Sequence, residues 1–114
     1  MTSEEQLAQW MEEGLGNEEF VEDRNYYLNE RNGKEGTVSG CALGAALVGK
    51  MKDAKAAYQL YAKKRKRLLP LSSGAPIFAL LLNIHQELAD AIDKNHCDGK
   101  PARQIIAELK RQTA

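Results

Sequence analysis

The sequence holds no long hydrophobic run. Its longest apolar stretch, IFALLL at Ile77 to Leu82, falls far short of the roughly 18 residues that a membrane span needs. Cysteine is scarce as well. Cys41 and Cys97 stand far apart with no C-x-x-C pair, so they read as reduced thiols of a cytoplasmic protein. The opening residues, MTSEEQLAQW, are acidic and amphipathic and lack the basic-then-apolar order of a secretory signal. A P-loop, a dinucleotide fingerprint and a G-x-S-x-G elbow are all missing. With them go the sequence grounds for expecting an enzyme or a bound cofactor. No internal repeat or low-complexity linker interrupts the chain.

What remains has the composition of one globular domain. The 114 residues are 43% hydrophobic and 28% charged. The formal net charge is zero, but the signs are segregated. Ten carboxylates between Glu4 and Glu35 face three cations, Arg24, Arg31 and Lys34. Between Lys50 and Arg67 the balance reverses, with eight cations against Asp53 alone. Such polarity suits contacts within the fold, between two copies, or with a charged partner.

Apolar spacing predicts a mainly helical domain of four to five helices. Ser3 or Thr2 can cap a first helix, with Leu7, Trp10, Met11 and Leu15 on one face and Gly14 and Gly16 at its end. The segment from 18 to 41 is open between helix and a short hairpin around 26–40, because Asn17 starts a helix well while Asn32-Gly33 also makes a good tight turn. Leu43, Leu47, Met51, Ala54, Tyr58 and Tyr61 then form one stripe of a long helix that Gly49 could bend or divide. After the break LLPLSSGAP, Pro76 opens a helix with Ile77, Leu81, Ile84, Leu88 and Ile92 in a seam, widened by Phe78, Leu80 and Leu82. His96, Cys97 and Asp98 are expected in an exposed turn. Pro101 then starts a last helix that docks through Ala102, Ile105, Ile106 and Leu109.

The stretch SGCALGAALVGK places Gly40 and Gly44, and Cys41 and Ala45, four residues apart. Glycine within a helix costs about 0.5–1 kcal/mol relative to alanine, so close approach to a neighbouring helix is the expected compensation. Cys41 would then be a small buried hydrophobe. Treating it as a nucleophile requires a base, and only His85 and His96 could serve. A zinc site from Cys41, His85, His96 and Cys97 has suitable residue types but unsuitable spacing, since His96 and Cys97 are adjacent and diverge. No metal is therefore expected.

The strongest charged feature is AKKRKRLLP, with Lys63, Lys64, Arg65, Lys66 and Arg67 in succession. Together with Lys52 and Lys55 they are the candidate contacts to nucleic acid or to an acidic partner. The plain alternative is a solvated helix end whose cations complement the C-terminal dipole or meet the acidic N-terminal segment. Tyr58 and Tyr61 fall on the apolar stripe and so make poor stacking platforms by phase alone.

The residues GCALGAAL, Gly40 to Leu47, carry a resemblance to small bacterial and phage or prophage proteins of unknown function that share a Cys-Ala-Leu-Gly-Ala core. Ala91, Ile92, Asn95, Ile105, Ile106 and Leu109 extend it. In such families an Asn-Asp pair often precedes the last helix, whereas here Asn95 and Asp98 are separated. The resemblance implies an origin but no activity. The resulting expectation is a non-enzymatic interaction protein that binds a protein partner or its own copy. The alternatives are a nucleic-acid accessory protein using the basic helix, or an acidic inhibitor of a host nucleic-acid-binding defence complex.

Overall fold

Ser3 caps the first helix as its place before Glu4, Glu5 and Gln6 requires, its Oγ accepting the Gln6 N–H at 3.1 Å. The computed structural model describes residues 2–23, 27–30, 37–68 and 74–112. They form six helices and three short strands, a mainly α architecture. The helices are α1 (Glu4–Leu15), α2 (Ala42–Met51), α3 (Ala54–Leu68), α4 (Gly74–Leu82), α5 (Gln86–Cys97) and α6 (Ala102–Gln112). The strands are β1 (Phe20–Glu22), β2 (Leu28–Glu30) and β3 (Val38–Gly40). The Asn32-Gly33 turn, Tyr26, and positions 69–73 of the predicted break lie outside the described residues.

Helix α2 is the axis of the fold. Every residue from Ala42 to Gly49 is buried, and its glycines let backbones close on it from two sides. A Cβ added at Gly49 would stand 1.8 Å from the Trp10 carbonyl oxygen of α1. One added at Gly14 of α1 would meet the Ala45 carbonyl oxygen at 1.8 Å. The two helices thus approach through reciprocal glycines. On the other side, Gly40 and Gly44 would meet the Tyr27 carbonyl oxygen at 2.3 and 2.1 Å, the place where the chain enters β2. Gly49 neither bends nor divides the helix. The division comes at Lys52, whose φ of 59° is left-handed, and Asp53 restarts the chain by accepting the Ala56 N–H at 3.0 Å.

A second division splits the predicted central helix. Asn83 takes φ 56°, and α5 begins after His85. The turn of direction leaves Leu80 70% exposed rather than in the seam. Ile77, Phe78, Leu82, Ile84 and Ile92 remain in the core, as do Ala102, Ile105, Ile106 and Leu109 of α6.

The sheet has the order β1-β3-β2. Its β2–β3 pair is antiparallel, with Asn29 opposite Ser39, which is the hairpin side of the open sequence reading. Strand β1 adds to β3 in parallel, Phe20 opposite Val38. His96 corrects the expectation of an exposed turn: it lies within α5 and is 0% exposed. Its Nε2 is 2.9 Å from Glu22 Oε2, and the same oxygen accepts the Ala102 N–H at 3.3 Å. One carboxylate thereby ties β1 to both α5 and the start of α6.

Candidate docking groove

Five residues of α3, Tyr58, Tyr61, Ala62, Arg65 and Lys66, recur at helical spacing and share a face. With Leu28 and Asn29 of β2 they line a groove of about 270 Å³. Alternate residues of a strand leave opposite faces of a sheet. Because both Leu28 and Asn29 line the groove, its β2 wall is not a single face of the strand.

Behind Tyr61, which lines the groove, lies an aromatic cluster. The Tyr61 and Phe78 rings stack at 5.0 Å between centroids, and Tyr27 leans on Phe78 at 5.9 Å and on Tyr61 at 6.4 Å. Tyr27 is held in turn by its hydroxyl, which donates to Asp93 Oδ2 at 2.9 Å. Burial pushes the Tyr61 phenol above its usual pKa; the Arg65 guanidinium opposes the rise and Cys41 reinforces it. Tyr61 therefore stays neutral in the physiological range.

The outer wall is cationic. Arg65 and Lys66 are exposed at the groove, Lys55 and Lys63 are exposed elsewhere on α3, and Lys64 is half-buried. Lys52 is exposed in the α2–α3 corner, and the Arg67 side chain lies outside the described residues. Among the described residues, no carboxylate comes within ion-pair distance of any of these cations. The acidic N-terminal segment is engaged elsewhere: Glu12 meets Lys110 of α6 at 2.8 Å, and Glu22 meets His96. Among the described residues, no carboxylate lines the groove.

Of the sequence candidates, then, Arg65 and Lys66 come together with Tyr58, whereas Lys52, Lys55, Lys63 and Lys64 do not line the groove. Tyr61 is too buried to be a platform, as its phase indicated, but half-buried Tyr58 sits beside two cations. That juxtaposition was present in the spacing 58, 62, 65, 66. Leu28 and Asn29 had no such signal. Gly40 and Gly44 accommodate a strand entry rather than a helix, and Ala45 receives Gly14. Cys41 is buried at the N-cap of α2, while His85 and His96 sit at opposite ends of α5. A second cavity, about 420 Å³ at the α4–α5 corner, is lined by Pro76, Leu80, Asn83 and His85 among others and carries no lysine, arginine or carboxylate.

No family model matches the chain, and no curated protein or solved structure is significantly similar to it. Among the described residues, no helix is long and apolar enough to cross a membrane.

Proposed function

We propose that this chain is a small non-enzymatic interaction protein, of the bacterial or phage type that Gly40–Leu47 resembles, which binds an anionic protein partner in the cytoplasm. The observation that carries the reading is the cationic face of α3, which meets no carboxylate among the described residues although the chain holds as many acids as bases. Two cations beside Leu28, Tyr58 and Ala62 offer a mixed surface of the kind protein interfaces use, with an aromatic and an arginine at its centre.

A nucleic-acid partner is the second reading. Tyr58 next to Arg65 and Lys66 favours it, because a half-buried ring beside cations can stack a base of a single strand. The distribution of charge weighs against it: Lys63 to Arg67 follow one another around the helix, and only Lys63 and Lys66 continue the stripe of Lys52 and Lys55, so the run as a whole does not make one row of phosphate contacts. An acidic-inhibitor role would use Glu5, Glu13, Glu18 and Glu19, which are exposed on the other part of the molecule.

Fluorescence anisotropy separates these readings. Labelled oligoglutamate and labelled single- and double-stranded DNA and RNA are titrated with the protein at about 50 and about 200 mM salt, where screening differs most for exposed charges. The expected result is oligoglutamate binding that weakens with salt and is lost in the Arg65→Gln/Lys66→Gln double variant. Preferred binding of nucleic acid would put the second reading first. No binding of any anion at low salt would overturn both.

A further inference from the structure

The edge of β2 supplies a second recognition element beside the cations of α3. Main-chain hydrogen bonds show which way each strand residue points. Val38 donates its N–H to the Glu19 carbonyl at 2.7 Å, and the Gly40 carbonyl accepts from Asp23 at 2.7 Å, so both residues turn their main chain toward β1. Cys41 instead donates to the Tyr27 carbonyl at 3.3 Å, on the β2 side. Antiparallel pairs alternate between bonded and non-bonded partners. Tyr27–Cys41 and Asn29–Ser39 are therefore the bonded positions, and the main-chain groups of Leu28 and Glu30 are directed away from β3, toward the outer edge. No described strand flanks β2 on that side, and Leu28 and Asn29 of this edge strand are in the lining of the groove.

We propose that the groove between α3 and β2 takes an extended acidic segment of a partner protein, which adds to the sheet as a strand beside β2. Leu28 and Glu30 offer it main-chain hydrogen bonds, the recognition mode in which affinity comes from the backbone and specificity from alternate side chains. One row of the added strand's side chains faces α3, where Tyr58 and Ala62 receive an apolar group and Arg65 and Lys66 receive carboxylates. Charge selects the occupant: among the described residues, the groove lining has two cations and no carboxylate. This inference rests on the anionic-partner reading above and adds the conformation of the bound partner. An open sheet edge also invites unwanted pairing, and cations beside it discourage association with a like edge from a second copy.

The test uses three labelled probes on the full chain: a peptide with a valine and two aspartates at alternate positions and serine between them, so that all three share one row, the same peptide N-methylated at alternate backbone amides, and oligoglutamate. Strand addition predicts that the first peptide binds. Methylation of one set of amides should weaken it at least tenfold while methylation of the other set changes it little, since only one edge of the added strand faces β2. Amide exchange at Leu28 and Glu30 should slow in the complex. Arg65→Gln/Lys66→Gln should weaken the first peptide without changing the ratio between the methylated forms. If oligoglutamate binds but methylation has no effect and neither amide is protected, the groove binds anions and strand addition is wrong. If neither oligoglutamate nor the peptide binds, both the inference and the reading beneath it fall.

Discussion

Gly49 and Gly16 make opposite demands on a methyl group. Gly49 faces the Trp10 carbonyl so closely that an added Cβ would fall 1.8 Å from it, against backbone that cannot yield without separating α1 from α2. Gly16, the C-cap of α1, has φ −82° and ψ −6°, and its nearest neighbour to an added Cβ is the Glu12 carbonyl oxygen at 3.5 Å. Gly49→Ala should therefore cost about 1–3 kcal/mol or more by overpacking. Gly16→Ala should raise stability by about 0.4–1 kcal/mol through the unfolded state. Urea unfolding of both variants checks the pair, and equal effects would contradict the close approach of the helices. Tyr61 makes a second prediction at this scale. Burial favours its neutral form, so its folded pKa lies above the unfolded value of about 10. Its contribution is complete below about pH 10 and is lost as pH rises from there through the folded pKa. In Tyr61→Phe the fall of stability above pH 10 should be shallower than in the parent, as measured by urea unfolding from pH 8 to 11.

Among the elements, β1, α5 and α6 meet at the Glu22 carboxylate, which holds the buried His96 imidazole. His96→Ala removes a fully buried ring together with the hydrogen bond to Glu22, and about 2–3 kcal/mol of stability should go with it. Amide exchange should quicken first in β1, the three-residue strand that Glu22 anchors, and uniform quickening would mean that the pair does not anchor it. The sequence carried a sign of this role that the local residues concealed. His96 lies four residues after Ile92 and so on the same buried stripe, but the neighbouring Asp98-Gly99 pair has strong turn chemistry. Turn residues marked where the helix ends and hid the fact that its last turn is still inside. Other elements were more legible: Ser3 and the Ala102–Ile105–Ile106–Leu109 face follow from residue type and period, whereas the small residues of SGCALGAAL announced a close approach without showing that a strand entry makes it at Gly40 and Gly44. The break at Lys52 could not be read there, because lysine suits a helix interior, while Asn83, of a type that tolerates the left-handed region, was masked by the apolar seam running through it. Strand β1 was hidden for another reason. Three residues cannot display a period, and its partner β3 lies well along the chain.

Over the whole molecule, equal numbers of acidic and basic residues coexist with an unequal distribution. Carboxylates of the N-terminal part act inside the fold, Glu12 on α6 and Glu22 on α5 and α6, whereas the cations of α3 face outward. The groove itself was only half legible. Its α3 side was written in a helical repeat; its β2 side depended on bringing a distant strand edge against that helix, which no local pattern encodes.

Those long-range ties also govern the order in which the chain can be assembled. Thr2 donates its N–H to the Asn83 carbonyl at 2.8 Å and its hydroxyl to the Leu82 carbonyl at 2.7 Å, and α1 is held from the far end by Lys110. A ribosome releases the first helix long before it makes α4 or α6. In that interval α2, buried from Ala42 to Gly49 in the finished fold, has α1 beside it but not yet α4 or α5, so part of its apolar surface stands in water. Contacts of such separation slow folding and prolong the exposure of apolar surface. Until α6 is made, the growing chain exposes apolar surface that the finished fold hides.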